Sequence, residues 1–195
     1  SWSPLGVLKA LKSPSKSPRN FEEFTVTRPW DAISSYEAPL EQAETFEVYP
    51  NRDSLPFMRD YKFDPAWKVK DFVRGTLRLN GWSIAWKDIF KEIEGLTGEA
   101  GETRLEKMSD QFWSENAYDT NEPDRVVLCV SLKATMKNST KWHKTFVMDA
   151  WGDSEGSAMS RLVSQPVSLA VEAVLQGKLE AGVQAAPNDM KIVDD

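Results

Sequence analysis

Two short clusters of polar residues could do binding chemistry. The first is Tyr49-Pro50-Asn51-Arg52-Asp53-Ser54, where an alternating segment stops at a proline and four polar side chains follow at once. Strand ends are where mixed α/β proteins often place ligand groups. Arg52 could hold a carboxylate through two parallel hydrogen bonds, because its planar fork matches the two oxygens. The same residues also suit a plain turn in which Asn51 and Asp53 cap the following helix. The second cluster is Arg74-Gly75-Thr76-Leu77-Arg78. On a strand, Arg74 and Arg78 fall on one face and could flank an anion. They could equally pair with surface acids, and such pairs add little. Weaker candidates are the basic trio Lys9, Lys12 and Lys16, and the turn Gly152-Asp153-Ser154-Glu155-Gly156, whose N–H groups could face an anion at the start of a helix.

The elements that must position these residues follow from periodicity. Leu5, Leu8 and Leu11 predict a short helix after Pro4, broken by Ser13-Pro14. Residues 19–43 read as extended segments and loops. Residues 45–49 alternate as a strand, and 54–61 suit a short helix. Residues 68–79 read as a second strand. Trp82, Ala85, Ile89, Ile93 and Leu96 predict a helix over 82–96, and Leu105, Met108 and Phe112 another over 102–115. Residues 125–135 and 141–149 predict a hairpin closed by 136–140; the sequon-like Asn138-Ser139-Thr140 falls in that turn. The long apolar helix over 157–176 is expected to bury Met159, Leu162, Val163, Val167, Ala170, Val171 and Val174, with a kink at Pro166 and a stop at Gly177. Trp82, Trp86, Trp142 and Trp151 are expected in packing roles. The fold class is α/β of the α+β type, a single mixed, largely antiparallel sheet covered by helices.

Composition bounds the function. The 195 residues suffice for one sizeable core, and the net charge of −6 disfavours a nucleic-acid partner. One Cys, Cys129, and one His, His143, cannot build a Cys/His zinc site or an internal disulfide. No metal site is expected. No apolar run could span a bilayer and no secretory leader is visible, so no membrane partner and a cytoplasmic location are expected. The chain starts without Met, as an excised piece would. No strand–GxGxxG–helix unit or Walker loop is present, so no cofactor-binding residue is assigned.

The motifs Ser1-Trp2-Ser3-Pro4 with Gly6-Val7-Leu8, then Pro-Asn-Arg-Asp-Ser at 50–54, Arg-Gly-Thr-Leu-Arg at 74–78, Gly152-Asp153, Ser157-Ala158-Met159 and Gly177-Lys178 resemble glutamate-forming saccharopine dehydrogenases, in the family's order. The resemblance implies an enzyme in two parts. A Rossmann domain, absent from this chain, would bind NADP or NAD. A second α/β domain, here residues 1–180, would bind saccharopine and form much of a homodimer contact. Residues 181–195 would lead back towards the Rossmann domain. The implied reaction is hydride transfer at the secondary amine of saccharopine, in lysine metabolism, with the fragment alone inactive. Three carboxylates on saccharopine give a reason for arginines, and Asn51, Arg52, Arg74 and Arg78 are the candidate substrate residues. The proton-transfer residues would lie upstream of Ser1, so no catalytic residue is assigned. Leu5 and Lys12 replace residues that are often Arg in relatives, and the stretch between Leu96 and Pro123 is shorter than in eukaryotic members. These departures keep two other readings open: a stand-alone carboxylate-binding or dimerisation module, and a dehydrogenase for another carboxylated amine such as carboxynorspermidine.

Overall fold

Helix α1 (Pro4–Lys12) begins at a proline whose fixed φ suits the first helical position, and it buries Val7, Leu8 and Leu11. The structure is a computed structural model that describes residues 3–119, 122–179 and 181–183. Most of the expected C-terminal segment, 181–195, lies outside the described residues, as does Trp2. After α1 come β1 (Ser15–Arg19), β2 (Glu22–Val26), a 3-10 turn (Pro29–Ala32), β3 (Ser34–Ala38), β4 (Glu44–Pro50), α2 (Leu55–Asp60) and β5 (Gly75–Leu79). Then follow α3 (Trp82–Ala85), α4 (Lys87–Gly95), α5 (Gly98–Glu115), β6 (Arg125–Thr135), β7 (Lys141–Trp151) and α6 (Ala158–Leu175).

The mixed α/β class with antiparallel strands is as expected. The strands divide, however, into three small sheets where one was expected: β1-β2, β3-β4-β5 and β6-β7. Each of the outer sheets is a local hairpin. β1 and β2 turn through Asn20 and Phe21, both at positive φ (52° and 71°), the conformation of a two-residue turn whose twist matches the strands. Neither strand alternates cleanly, and Pro18 sits inside β1, so periodicity could not find them. β6 and β7 pair along their whole length, from Arg125 opposite Trp151 to Thr135 opposite Lys141. This hairpin meets the central sheet through Arg125, which grips Glu44 at 2.7 Å and Asp149 at 2.8 Å.

The core is built by α1, β4, α4 and α5, from Val7, Leu8, Leu11, Tyr49, Phe90, Ile93, Leu105 and Met108. Trp82 and Trp86 pack on it, as expected, whereas Trp142 and Trp151 stand exposed. The helix expected over 82–96 breaks at Trp86, whose backbone leaves the α region (φ −95°, ψ 4°). α5 starts earlier than its apolar pattern; a Cβ on Gly101 would come 2.9 Å from the carbonyl carbon of Leu96, so only glycine fits that crossing. α6 closes at Gly177 (φ 67°), with Lys178 N–H bonding to Ala173 O at 2.9 Å and Gly177 N–H to Val174 O at 3.0 Å, the paired bonds of a Schellman end. The α6 face expected to be buried is not: Val163, Val167, Val171 and Val174 are exposed, and Ala158 and Ala173 are the buried positions.

Candidate functional site

β4 and β5 bring the two polar clusters together. Their register sets Tyr49 opposite Thr76 and Pro50 opposite Gly75. One step beyond, the Asn51 N–H donates to the Arg74 carbonyl at 2.8 Å. Residues opposite each other in an antiparallel pair share a face, so Asn51, Arg74, Tyr49, Thr76, Glu47 and Arg78 lie on one side of the sheet. Along β5, Arg74 and Arg78 are separated by about 13 Å of strand. Gly75 lies on the opposite face, where an added Cβ would come 2.6 Å from Val48 Cγ2; the glycine lets β4 and β5 close tightly at the cluster.

The second cluster is tied to the first through Ser54. Its buried Oγ accepts the Arg74 N–H at 3.1 Å, and its own N–H donates to Lys16 O at 2.8 Å. Asp53 accepts the Leu55 N–H at 2.9 Å and so starts α2. The capping alternative therefore holds for Asp53 and not for Asn51, whose side-chain oxygen is buried with no hydrogen-bond partner among the described residues. Arg52 takes the left-handed conformation (φ 52°), held by the bond from Lys16 N–H to its carbonyl at 3.1 Å. A non-glycine residue there is under strain of about 1 kcal/mol.

The charge pattern sets these arginines apart. Elsewhere guanidiniums meet carboxylates: Arg28 with Asp31 and Glu94, Arg59 with Asp60, Arg104 with Glu92, Arg125 with Glu44 and Asp149, Arg161 with Asp153. Among the described residues, Arg52, Arg74 and Arg78 have no carboxylate partner; the fourth such arginine, Arg19, lies over Phe24 in the β1-β2 hairpin. Arg74 sits over the Phe57 ring at 3.7 Å from its centroid. Arg78 lies near the Trp82 and Tyr49 rings, at 5.5 and 5.7 Å, and donates to Tyr49 Oη at 3.3 Å and to Leu77 O at 3.3 Å. Glu47, opposite Arg78 in the register, directs its carboxylate to Gly81 and Ser83, so Arg74 and Arg78 stand on this sheet face without an ion pair.

The weaker candidates are accounted for within the domain. Lys9 pairs with Glu102 at 2.9 Å, Lys12 donates to the Leu96 carbonyl, and Lys16 lies 3.9 Å from Glu23. The start of α6 is already filled: the Asp124 carboxylate accepts the Ala158 and Met159 N–H groups at 2.6 and 2.9 Å. Burial pushes the Asp124 carboxyl up, but those two N–H groups prevail and hold it below the usual carboxylate range. No group of metal-ligating residues occurs among the described residues. Nor is any described helix long and apolar enough to cross a membrane. An open depression of about 550 Å³ is lined by Phe21, Trp67, Lys68 and Val69 and contains none of the four candidate residues. Sequence reasoning missed Glu47, Phe57 and Trp82 as neighbours of the arginines, because the register that sets Glu47 opposite Arg78 carries no signal in either segment alone.

Antiparallel strands that carry arginines without ion pairs, on a chain with no dinucleotide loop, define a mixed α/β domain without a nucleotide cradle of its own. The chain matches the saccharopine dehydrogenase C-terminal domain over residues 1–194, and it belongs to that family. It is similar to saccharopine dehydrogenase (NADP(+), L-glutamate-forming) of Pyricularia oryzae, at 24% identity over 261 residues, covering 100% of this chain and 57% of that protein. It is also similar to alpha-aminoadipic semialdehyde synthase of Arabidopsis thaliana, at 30% identity over 93 residues, or 47% of this chain and 9% of that protein. The solved apo saccharopine dehydrogenase (L-Glu forming) from Saccharomyces cerevisiae shares the fold, with a TM-score of 0.77 at 21% identity over 100% of this chain and 57% of that one. The chain thus spans little more than half the length of the glutamate-forming relatives it matches.

Proposed function

We propose that this chain is the substrate-binding domain of an NAD(P)-dependent, saccharopine dehydrogenase-like oxidoreductase of lysine metabolism, acting at the secondary amine of saccharopine. The observation that carries the reading is the pair Arg74 and Arg78 on one face of the β4-β5 sheet, neither held by a carboxylate, with the segment of Arg52 tied beside Arg74 through the Asn51 backbone. A multiply acidic amine supplies what they lack. Asn51 belongs to the site through its backbone bond to Arg74. Residues here do not fit a nicotinamide dinucleotide: the glycine loop is missing and Asp124 occupies the start of α6. On this reading the nucleotide is held by a Rossmann domain outside this chain.

The same reading has the protein work as a homodimer in the cytoplasm. Support for the dimer comes from β6 and β7, whose shared face carries Leu128, Val130, Leu132, Phe146 and Trp142, all at least 39% exposed, and from the bare valines of α6. Exposed apolar side chains grouped on one sheet face, with Lys144 among them, mark an interaction site. Titration of saccharopine into the complete protein tests the substrate reading. Binding that disappears when Arg74 and Arg78 are both replaced by Ala is the expected result; undiminished binding overturns it. Tight binding of saccharopine without turnover in the presence of NADP or NAD would instead identify a non-catalytic module.

A further inference from the structure

We infer that the aromatic rings of Phe57 and Trp82 are positioning residues that seat Arg74 and Arg78 for the ligand in place of carboxylates. This rests on the carboxylate-binding reading above and adds how the site is kept open. An acid partner would neutralise a guanidinium and use its in-plane N–H groups. A ring beneath the guanidinium attracts it through the face and leaves the N–H edge and the net charge available. Arg74 is seated in this way 3.7 Å above Phe57. Arg78 lies beside the mutually stacked Trp82 and Tyr49 rings, 5.5 and 5.7 Å from their centroids, and donates to Leu77 O and Tyr49 Oη, leaving its charge and its other N–H groups for the ligand. The acid nearest to neutralising Arg78 is Glu47, its partner in the strand register. That carboxylate is turned elsewhere: it accepts the Gly81 N–H at 3.1 Å, the Ser83 N–H at 2.6 Å and the Ser83 hydroxyl at 2.9 Å. Those bonds fix the start of α3, the helix that carries Trp82. Glu47 thereby withholds its charge from Arg78 and helps to place the ring beside which Arg78 lies.

The test is equilibrium titration of saccharopine into the complete protein, reading affinity and stoichiometry separately. Phe57→Leu and Trp82→Leu are expected to weaken binding by roughly 3- to 30-fold, with stoichiometry unchanged. Phe57→Tyr and Trp82→Phe are expected to restore it. A merely structural role would lower the bound fraction at unchanged affinity. Trp82 also meets core Phe90 edge-on at 5.2 Å, so Trp82→Leu can impair folding; Phe57 lies on α2, which buries no residue, and its variant keeps the test decisive. Arg74→Ala and Arg78→Ala in the same titration separate the two ideas. If the arginine variants bind weakly and the ring variants bind normally, the seating proposal fails and the carboxylate reading stands. If the arginine variants bind normally, both fail.

Discussion

The backbone N–H of Asn51 donates to the carbonyl of Arg74 at 2.8 Å, and this bond joins two polar clusters that lie 23 positions apart in the chain. It continues the β4-β5 ladder one step past the last strand pair, Pro50 with Gly75. The side chains that follow each strand end therefore start from a fixed frame, although Arg52 and Arg74 themselves make no ion pair among the described residues.

Replacement of Arg74 or Arg78 by Ala removes a charged donor while leaving the backbone ladder intact. Loss of a hydrogen bond between charged partners is worth about 1.5–3 kcal/mol. Each variant is expected to bind saccharopine about 10- to 100-fold more weakly in calorimetric titration of the complete protein, with a melting temperature close to that of the parent.

Gly75→Ala drives a methyl group to within 2.6 Å of Val48 Cγ2. Overpacking of this kind destabilises by about 1–3 kcal/mol. Urea unfolding should show that loss for Gly75→Ala, and adding Val48→Ala should recover part of it. Additive losses would show that the contact is not where the strain lies.

Asp124 governs a pH dependence. Its carboxyl titrates below the usual range in the fold, so its contribution is complete above the unfolded carboxylate pKa of about 3.9 and is lost as the pH falls through the lower folded value. Asp149, held down chiefly by its hydrogen bond to Arg125, acts with the same sign. Asp124→Ala should cost about 1–2 kcal/mol at neutral pH as α6 loses the two bonds to Ala158 and Met159 while the Ser157 cap remains. The gap between parent and variant should narrow below pH 4 in urea melts; a gap independent of pH would exclude the ionised cap.

The bare apolar face predicts an assembly. Val167→Glu on α6, or Leu128→Lys on β6, should shift the complete protein from dimer to monomer in sedimentation velocity while leaving α1 and α5 folded. A parent protein that sediments as a monomer would remove the homodimer from the proposed function.

Local chemistry made parts of this fold readable. The proline at the start of α1, the alternation of 45–49 and 125–135, and the glycine after α6 each act over a few residues, and all appear where the pattern places them. β1 and β2 were hidden because their residues serve a turn at positive φ and not an apolar face. The division into three sheets was hidden because alternation shows that a strand exists and not what it pairs with. The arginines of the site could be named from residue type, but their lack of acids could not: whether Glu47 meets Arg78 or Ser83 depends on the path of the chain through Gly81. The exposure of the α6 valines has a related origin, since an amphipathic pattern shows that a surface needs cover and is silent on whether the cover lies in the same chain.

Each residue of β6 from Arg125 to Thr135 has a partner on β7, and the pairs Leu128–Met148, Val130–Phe146 and Ala134–Trp142 put apolar side chains on one face. Gain or loss of one amino acid within β6 would turn the β6 residues on one side of it to the opposite face while β7 kept its own, breaking the match of Val130 with Phe146. Residues added to the loop around Asn138 would by contrast leave both faces as they are.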